Sequence, residues 1–390
     1  MQKVIVGMSG GVDSSVTAYL LKEQGYEVEG VSFILYEARM KNTFTGCCSI
    51  EAINDARRTA GYLGVKHTAV DLRDEFMGKV IEPFIEAYSK GMTPNPCILC
   101  NRHIKFPHLL KIADEKSADF IATGHYARVV TTTATTSSTG RNGETEKRRS
   151  GETGENFTDS PIHPFTHSPL RRFTDSALMK GIDPKKDQSY VLYVLKKEEL
   201  KRLLLPLGDK RKDEVREIAR TLDLPAAKRP ESQEICFIED RNYFRFLENL
   251  TGYKEGPIID VETGETLGTH KGIYLYTIGQ RKRLGIATGK PLFVAKIDPS
   301  KNAVYVGPRE AAMIKEFDVF DINWLVSVTD SCFRAAVKVR SMMNDEPASI
   351  RVLDDNKANV VYDQPQWAPA PGQSAVFYDG DAVIGGGIIQ

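Results

Sequence analysis

The segment Ser9-Gly10-Gly11-Val12-Asp13-Ser14 constrains this chain more than any other. It follows the apolar run Val4-Ile5-Val6 and opens a stretch where Val16, Leu20 and Leu21 share one face, ending at Gly25. That pattern predicts a strand, a tight glycine turn and a helix. Paired glycines let the backbone approach an anion, while the open N–H groups and positive dipole at the helix start point toward it. A phosphate site results. A Walker loop would need a Lys-Ser/Thr pair after its last glycine, where this chain has Val12-Asp13-Ser14, and Gly-x-Gly-x-x-Gly cannot be drawn through these residues.

Ser-Gly-Gly-x-Asp-Ser at a first strand-to-helix turn resembles the PP-loop of ATP pyrophosphatases, which cleave ATP between the α and β phosphates and adenylate a substrate. Substituting Asp13 or Gly10 is then expected to abolish adenylation and leave the fold largely intact, because these residues shape an anion site and not a core.

A chain of 390 residues exceeds what one hydrophobic core usually organises, so two or three domains are expected. With 52 basic and 52 acidic residues, a polyanionic partner must be held by a local patch and not by the field of the whole molecule. The N-terminus has neither a basic n-region nor an apolar h-region, and no apolar run approaches the roughly 20 residues of a membrane span. The expectation is a cytoplasmic protein without membrane contact, whose six cysteines are reactive or metal-binding and do not form a disulfide framework.

Strand and helix periods alternate along the first part. A strand runs through Val28, Val31 and Phe33, a helix through Ile53, Ala56 and Ala60, and a strand from Val65 to Val70. A helix through Phe76, Val80, Phe84 and Tyr88 and another after Pro96 precede the strand Asp119 to Ala122, which ends in Thr123-Gly124-His125. This rhythm predicts an α/β doubly wound parallel sheet with ligands at the C-terminal ends of its strands, so the glycine loop and the Gly124-His125 turn should share one crevice. From Thr131 to Leu170 the composition turns to Thr, Ser, Gly, Glu, Arg and Pro, which predicts a disordered insertion. A helix opening at Lys185, an amphipathic helix from Asp213 to Leu222 and a small α/β region follow. From about Phe317, short alternating runs separated by turn signals such as Asp379-Gly380 predict a small antiparallel β-barrel. The expected domains are 1–205, with the insertion at 131–170; 206–312, with the Cys236 segment returning to the active site; and 313–390.

Asn95-Pro96-Cys97-Ile98-Leu99-Cys100 places two cysteines at a loop-to-helix junction, where the helix dipole favours a thiolate. Cys236 is a third candidate. Cys47, Cys48 and Cys332 are read as incidental, and a single C-x-x-C can also be merely structural.

Taken together the motifs resemble the bacterial tRNA-specific 2-thiouridylases. The match runs through Ser9 to Ser14, Thr93 to Pro96 with Cys100-Asn101, Thr123 to Tyr126, Lys186 to Tyr190, Ile235 to Ile238, Thr277-Ile278-Gly279-Gln280-Arg281-Lys282, Pro371 to Ala375 and Gly385 to Ile389. The resemblance implies a PP-loop ATP pyrophosphatase domain of the adenine nucleotide alpha hydrolase type, a small central domain and a C-terminal β-barrel. It also implies adenylation of the C2 oxygen of the wobble uridine by ATP, with Mg2+, in the tRNAs for Lys, Glu and Gln. Cys236 would receive sulfur as a persulfide from a cysteine desulfurase or relay protein. Cys100 would either attack the activated C2 or liberate the terminal sulfur of Cys236, leaving a Cys100–Cys236 disulfide to be reduced. ATP-binding positions carried over are Gly7, Met8, Ser9, Gly10, Gly11, Val12, Asp13, Ser14, Phe33 and Gly124. Positions matching tRNA contacts are Asn95, Pro96, Cys97, His125, Lys186, Asp187, Gln188, Arg340, Ser341 and Gln373; the alternative for His125 is a structural histidine closing its turn.

One position departs from the pattern. Some members carry an Asp where this chain has Cys97, and Cys97, Cys100 and Cys236 together resemble the three thiolates that hold a [4Fe–4S] cluster in cluster-dependent tRNA thiolases. The persulfide route is the main expectation and the cluster its alternative. A PP-loop ligase of small metabolites and a non-catalytic nucleotide-binding RNA module are the rival functions.

Overall fold

A computed structural model describes residues 1–36, 50–131, 176–227, 235–238, 245–247 and 254–390. The insertion expected at 131–170 lies outside these residues except for Thr131, as do Cys47 and Cys48.

The first strand, β1 (Lys3–Gly7), is buried through Val4, Ile5 and Val6. The chain passes through the glycine turn into the helix Val12–Glu23 and returns as β2 (Glu27–Ile34). The helix Ile50–Leu63 leads to β3 (Lys66–Asp71). Arg73 to Ser89 and Pro96 to Glu115 are helical, and each contains one wider π turn, Met77–Ile81 and Asn101–Lys105. Then come β4 (Phe120–Ala122), β5 (Ala127–Thr131), β6 (Ser176–Lys180) and β7 (Leu203–Leu204). Five strands form a parallel sheet in the order β3-β2-β1-β4-β7. The strand order reverses between β1 and β4, and such a switch opens a crevice at the C-terminal ends of the two strands. Gly7 ends one of them, and Thr123-Gly124-His125 follows the other.

Burial holds the helices to this sheet. Val12, Val16, Ala18 and Leu21 of the first helix pack with Val4, Val6 and Val28, and with Val215 and Ala219 of the helix Lys212–Thr221. Each fully buried Val or Leu contributes about 1.5–3 kcal/mol. The helix expected from Lys185 instead begins at Ser189, because Asp187 accepts bonds from the backbone N–H groups of Gly181 and Ser189, both at 3.1 Å.

Within the expected central domain, the helix Lys212–Thr221 and helical residues 245–247 precede a β-rich part. Described residues 254–312 contain no α-helix. A four-stranded sheet is built from β8 (Gly256–Asp260), β9 (Thr266–His270), β10 (Phe293–Asp298) and β11 (Ala303–Gly307), joined by turns and two short 3-10 segments. Gly264, Gly279, Gly285 and Gly289 take positive φ in its connecting turns.

Six strands close the C-terminal barrel: β12 (Met313–Trp324), β13 (Cys332–Lys338), β14 (Glu346–Asp354), β15 (Lys357–Trp367), β16 (Ser374–Asp379) and β17 (Ala382–Ile389). β12 pairs with both β15 and β17, which leaves no open edge between them. Val319, Val337, Ile350, Val360, Tyr362 and Phe377 fill its interior. β5 and β6 pair antiparallel and join the outside of β17 through Met179 opposite Ala382. Among the described residues, no helix is long and apolar enough to cross a membrane.

Candidate active site

The glycine turn has the features that an anion site needs. Gly11 precedes the helix and no side chain caps it, so the first N–H groups remain available to a ligand. Ser14 stiffens the turn by accepting from Ser9 N at 3.1 Å and donating to Gly11 O at 3.1 Å. Met8 N donates to Val31 O at 2.8 Å, and Met8 O accepts from Ser32 Oγ at 2.6 Å, whose own oxygen lies 2.8 Å from His67 Nε2. Gly10 takes φ +73, and a Cβ there would stand 2.1 Å from Ala52 O. Gly10→Val therefore disturbs the packing of the helix Ile50–Leu63 as well as the anion site, against the expectation of an intact fold.

The expected shared crevice is present. A Cβ on Gly124 would lie 2.8 Å from Asp13 C and 2.9 Å from Ser14 N, so the turn after β4 sits directly on the loop after β1. Two groups absent from the sequence-based candidates meet Asp13 here, one from this turn and one from the helix Lys212–Thr221. Tyr126 Oη donates to Asp13 Oδ1 at 2.7 Å, and Lys212 Nζ donates to Asp13 Oδ1 and Oδ2 at 2.7 and 2.8 Å. Lys212 is buried, with its ammonium 5.6 Å from the Tyr126 ring centre. Tyr126 stands in the Thr123–Tyr126 motif. Lys212 carries no local signal beyond opening an amphipathic helix.

His125 lies within 2.7 Å of Thr123 Oγ1 and stacks on Phe106 with ring centres 5.8 Å apart. Burial, and then the Lys105 ammonium, hold its imidazole well below the usual range, so it is neutral at pH 7. Its folded pKa is depressed below the unfolded value near 6.5. The unfolded chain therefore binds the proton more readily, and stability is lost as pH falls below about 6.5. His125→Gln should shrink the drop in urea midpoint between about pH 7 and about pH 5.5, leaving the share due to His67, His103 and His270, whose pKa values burial also lowers. Equal drops in the two proteins would place His125 in contact with water.

The cysteine segment is ordered by its own caps. Asn95 Oδ1 accepts from Cys97 N at 3.1 Å, and Pro96 starts the helix Pro96–Cys100. Cys97 lies in the first turn and is exposed. Cys100 lies a turn further on and is buried. The dipole argument thus applies to Cys97, because the effect fades beyond the first turn. Cys100 instead belongs to an apolar cluster with Leu35, Phe76, Phe84, Ile104 and Phe237, against which half-buried Cys236 and Phe33 also pack. Leu35 and Leu72 place this cluster just past the C-terminal ends of β2 and β3, the same side of the sheet as the glycine loop. Among the described residues no three His, Cys, Asp or Glu side chains are arranged to hold a metal ion.

The remaining candidates tie domains together. Gln188 Oε1 accepts from Tyr126 N at 2.9 Å, and Asp187 forms an ion pair with buried Lys338 at 3.7 Å, while Lys186 stands half-exposed beside them. Gln373 Nε2 donates to Thr93 O at 2.8 Å, and Thr93 Oγ1 donates to Thr277 Oγ1 at 3.2 Å. Arg340 Nη2 donates to Ile278 O at 2.8 Å and Ala368 O at 3.0 Å, and Ser341 is exposed beside it. Catalytic sheet, central sheet and barrel thus meet where the chain runs from Thr93 into the cysteine helix.

Comparison with known proteins agrees with this assembly. The family described as tRNA methyl transferase HUP domain matches residues 2–150 and 165–240, the tRNA methyl transferase PRC-barrel domain matches 244–308, and the aminomethyltransferase β-barrel domain matches 314–389. The tRNA-specific 2-thiouridylases of Caldanaerobacter subterraneus subsp. tengcongensis and Carboxydothermus hydrogenoformans are each 43% identical over 100% of this chain and 98% of their own. That of Clostridioides difficile is 41% identical over the same shares. Among solved structures, the U34-tRNA thiolase NcsA from Methanococcus maripaludis aligns with 64% of this chain and 65% of its own at 17% identity and a TM-score of 0.33, too distant to bear on mechanism. Full-length identity at this level, on a fold with the sheet, central domain and closed barrel in the matching order, shows that the chain belongs to the tRNA-specific 2-thiouridylase family.

Proposed function

We propose that this tRNA 2-thiouridylase works by a persulfide relay between Cys236 and Cys100, beside an ATP site formed by residues 7–14, Phe33 and Gly124. The observation that carries this reading is the convergence of Cys100 and Cys236 on one apolar cluster past the ends of β2 and β3. The uncapped helix start after Gly11 and the positive φ of Gly10 suit the phosphates of ATP. Residues 7–14 would hold the triphosphate, and magnesium would enter with it, since Mg2+ is usually bound through phosphates and few carboxylates. Bound ATP supplies an adenylyl group that turns the uridine C2 oxygen into a leaving group, with pyrophosphate released.

The thiols complete the exchange. The terminal sulfur of a Cys236 persulfide adds to C2 and AMP departs with the oxygen. Cys100 thiolate takes the remaining sulfur bond, giving a Cys100–Cys236 disulfide that an external thiol reduces with two electrons. A cysteine desulfurase or relay protein loads Cys236. The base reaches such a site only when splayed from its loop, as in single-stranded RNA recognition, with Asn95, Pro96, Cys97, His125, Lys186 to Gln188, Arg340, Ser341 and Gln373 around it. The tRNAs are those for Lys, Glu and Gln, and the work is done in the cytoplasm. Incubation of the enzyme with unmodified tRNA, ATP and a persulfide donor, followed by nucleoside mass spectrometry, should yield 2-thiouridine with one AMP per sulfur. Thiolation without AMP release would sink the reading.

A further inference from the structure

From Lys271 to Lys296 the chain carries six cations, Lys271, Arg281, Lys282, Arg283, Lys290 and Lys296, and no Asp or Glu. The molecule as a whole is neutral, with 52 charges of each sign, so this stretch concentrates positive charge that the rest of the chain cancels elsewhere. Four of the six, Arg281, Lys282, Arg283 and Lys290, stand exposed on the loop between Gln280 and Leu292. Among the described residues Arg281, Lys282 and Lys290 form no ion pair. Their mutual repulsion is a cost within the fold, and a bound polyanion would offset it.

The loop is shaped and anchored. Gly279 N donates to Val294 O at 2.7 Å and Val294 N to Gln280 O at 2.9 Å, pinning the two ends together. Gln280 Oε1 accepts from Thr277 N at 3.1 Å, Gln280 Nε2 donates to Lys282 O at 3.0 Å, and Thr288 Oγ1 donates to Lys290 O at 3.0 Å. Leu284 is buried and Ile286 half-buried in the core of the central sheet. The loop surrounds a cavity of about 440 Å3 whose rim carries Arg281, Arg283 and Lys290 and whose lining includes Leu284, Ile286 and Leu292, none of them an exposed large apolar side chain. The loop also starts at the junction where Thr277 holds Thr93 and Arg340 holds Ile278 O, so it projects from the point where all three domains meet ahead of the cysteine helix.

We propose that Arg281, Lys282 and Lys290 form a binding surface for the backbone phosphates of the tRNA outside the base that reacts. The proposal rests on the tRNA reading given above and adds to it a surface that fixes the position of the RNA without reading its sequence. The test uses the full-length enzyme and an unmodified tRNA transcript, with Kd measured across a series of salt concentrations. Removing three phosphate contacts in Arg281→Ala/Lys282→Ala/Lys290→Ala should lower the slope of log Kd against log salt by about 2–3. At about 0.1 M salt, binding should weaken by roughly 10- to 100-fold, and the loss in turnover should fall on KM for tRNA and not on kcat. Lys301→Ala, an equally exposed lysine in the same domain, controls for general charge. A triple variant with the wild-type slope and KM would overturn the proposal, as would a loss confined to kcat. If the wild-type enzyme itself fails to bind tRNA, the functional reading falls first and this one with it.

Discussion

Cys100→Ser and Cys236→Ser should each abolish 2-thiouridine formation, a loss of about 10^3-fold or more, because a serine hydroxyl neither ionises at neutral pH nor carries a persulfide. The two variants should keep tRNA-dependent pyrophosphate release, since the proposed mechanism gives adenylation to the glycine loop and not to the thiols. That separation is the decisive readout. Cys100 is buried in an apolar cluster, so a hydroxyl there costs about 1–3 kcal/mol unless it finds a partner. Cys100→Ala and a thermal melt of each protein keep loss of folding apart from loss of chemistry. Cys332, exposed at the start of β13, serves as the control, and Cys332→Ser should match the parent. Cys97→Ala, which removes an exposed side chain in the first turn, should lower activity only in part. Thiolation that survives in Cys236→Ser would mean that sulfur arrives as free sulfide, and the relay would be wrong.

Lys212→Met should lower tRNA-dependent pyrophosphate release by about 10^2- to 10^3-fold, the range for losing one preorganised electrostatic group. Its ammonium bonds both oxygens of the Asp13 carboxylate, to which Tyr126 Oη also donates, and Asp13 stands in the turn proposed to hold the phosphates. Lys212 is buried but Asp13 is 35% exposed, so breaking the pair costs less than the ~3–5 kcal/mol of a fully buried one, yet lost stability could still mimic lost catalysis. The double variant Asp13→Asn/Lys212→Met separates the two effects. Without either charge it should regain most of the melting temperature and remain inactive in pyrophosphate release. Lys212→Met with near-wild-type release would reduce the pair to a structural brace.

The parts of this protein legible in its sequence are those that neighbouring residues decide among themselves. Val4 to Ser14 announces strand, glycine turn and helix because side-chain period and backbone freedom act over a few residues. The β/α alternation to Thr123-Gly124-His125 announces a parallel sheet, and a parallel sheet places its ligand where strand order reverses. The barrel is legible for the same reason, in alternating runs separated by turns such as Asp379-Gly380.

Partnerships between distant segments are not written in any local period. Lys212 meets Asp13 across 199 positions only because the helix that starts at Lys212 packs on the first helix. Cys100 loses the dipole expected for it because the chain stays helical from Pro96 to Glu115, which puts the dipole end at Cys97 and turns Cys100 inward beside Phe237. Arg340 and Gln373 spend hydrogen bonds on the backbones of Ile278, Ala368 and Thr93, a use that exists only once three domains have closed on one another. Local sequence determines which elements form and which chemistry they carry. Burial of their apolar faces then decides which of those groups meet, because that energy depends on the packed whole and not on any one segment.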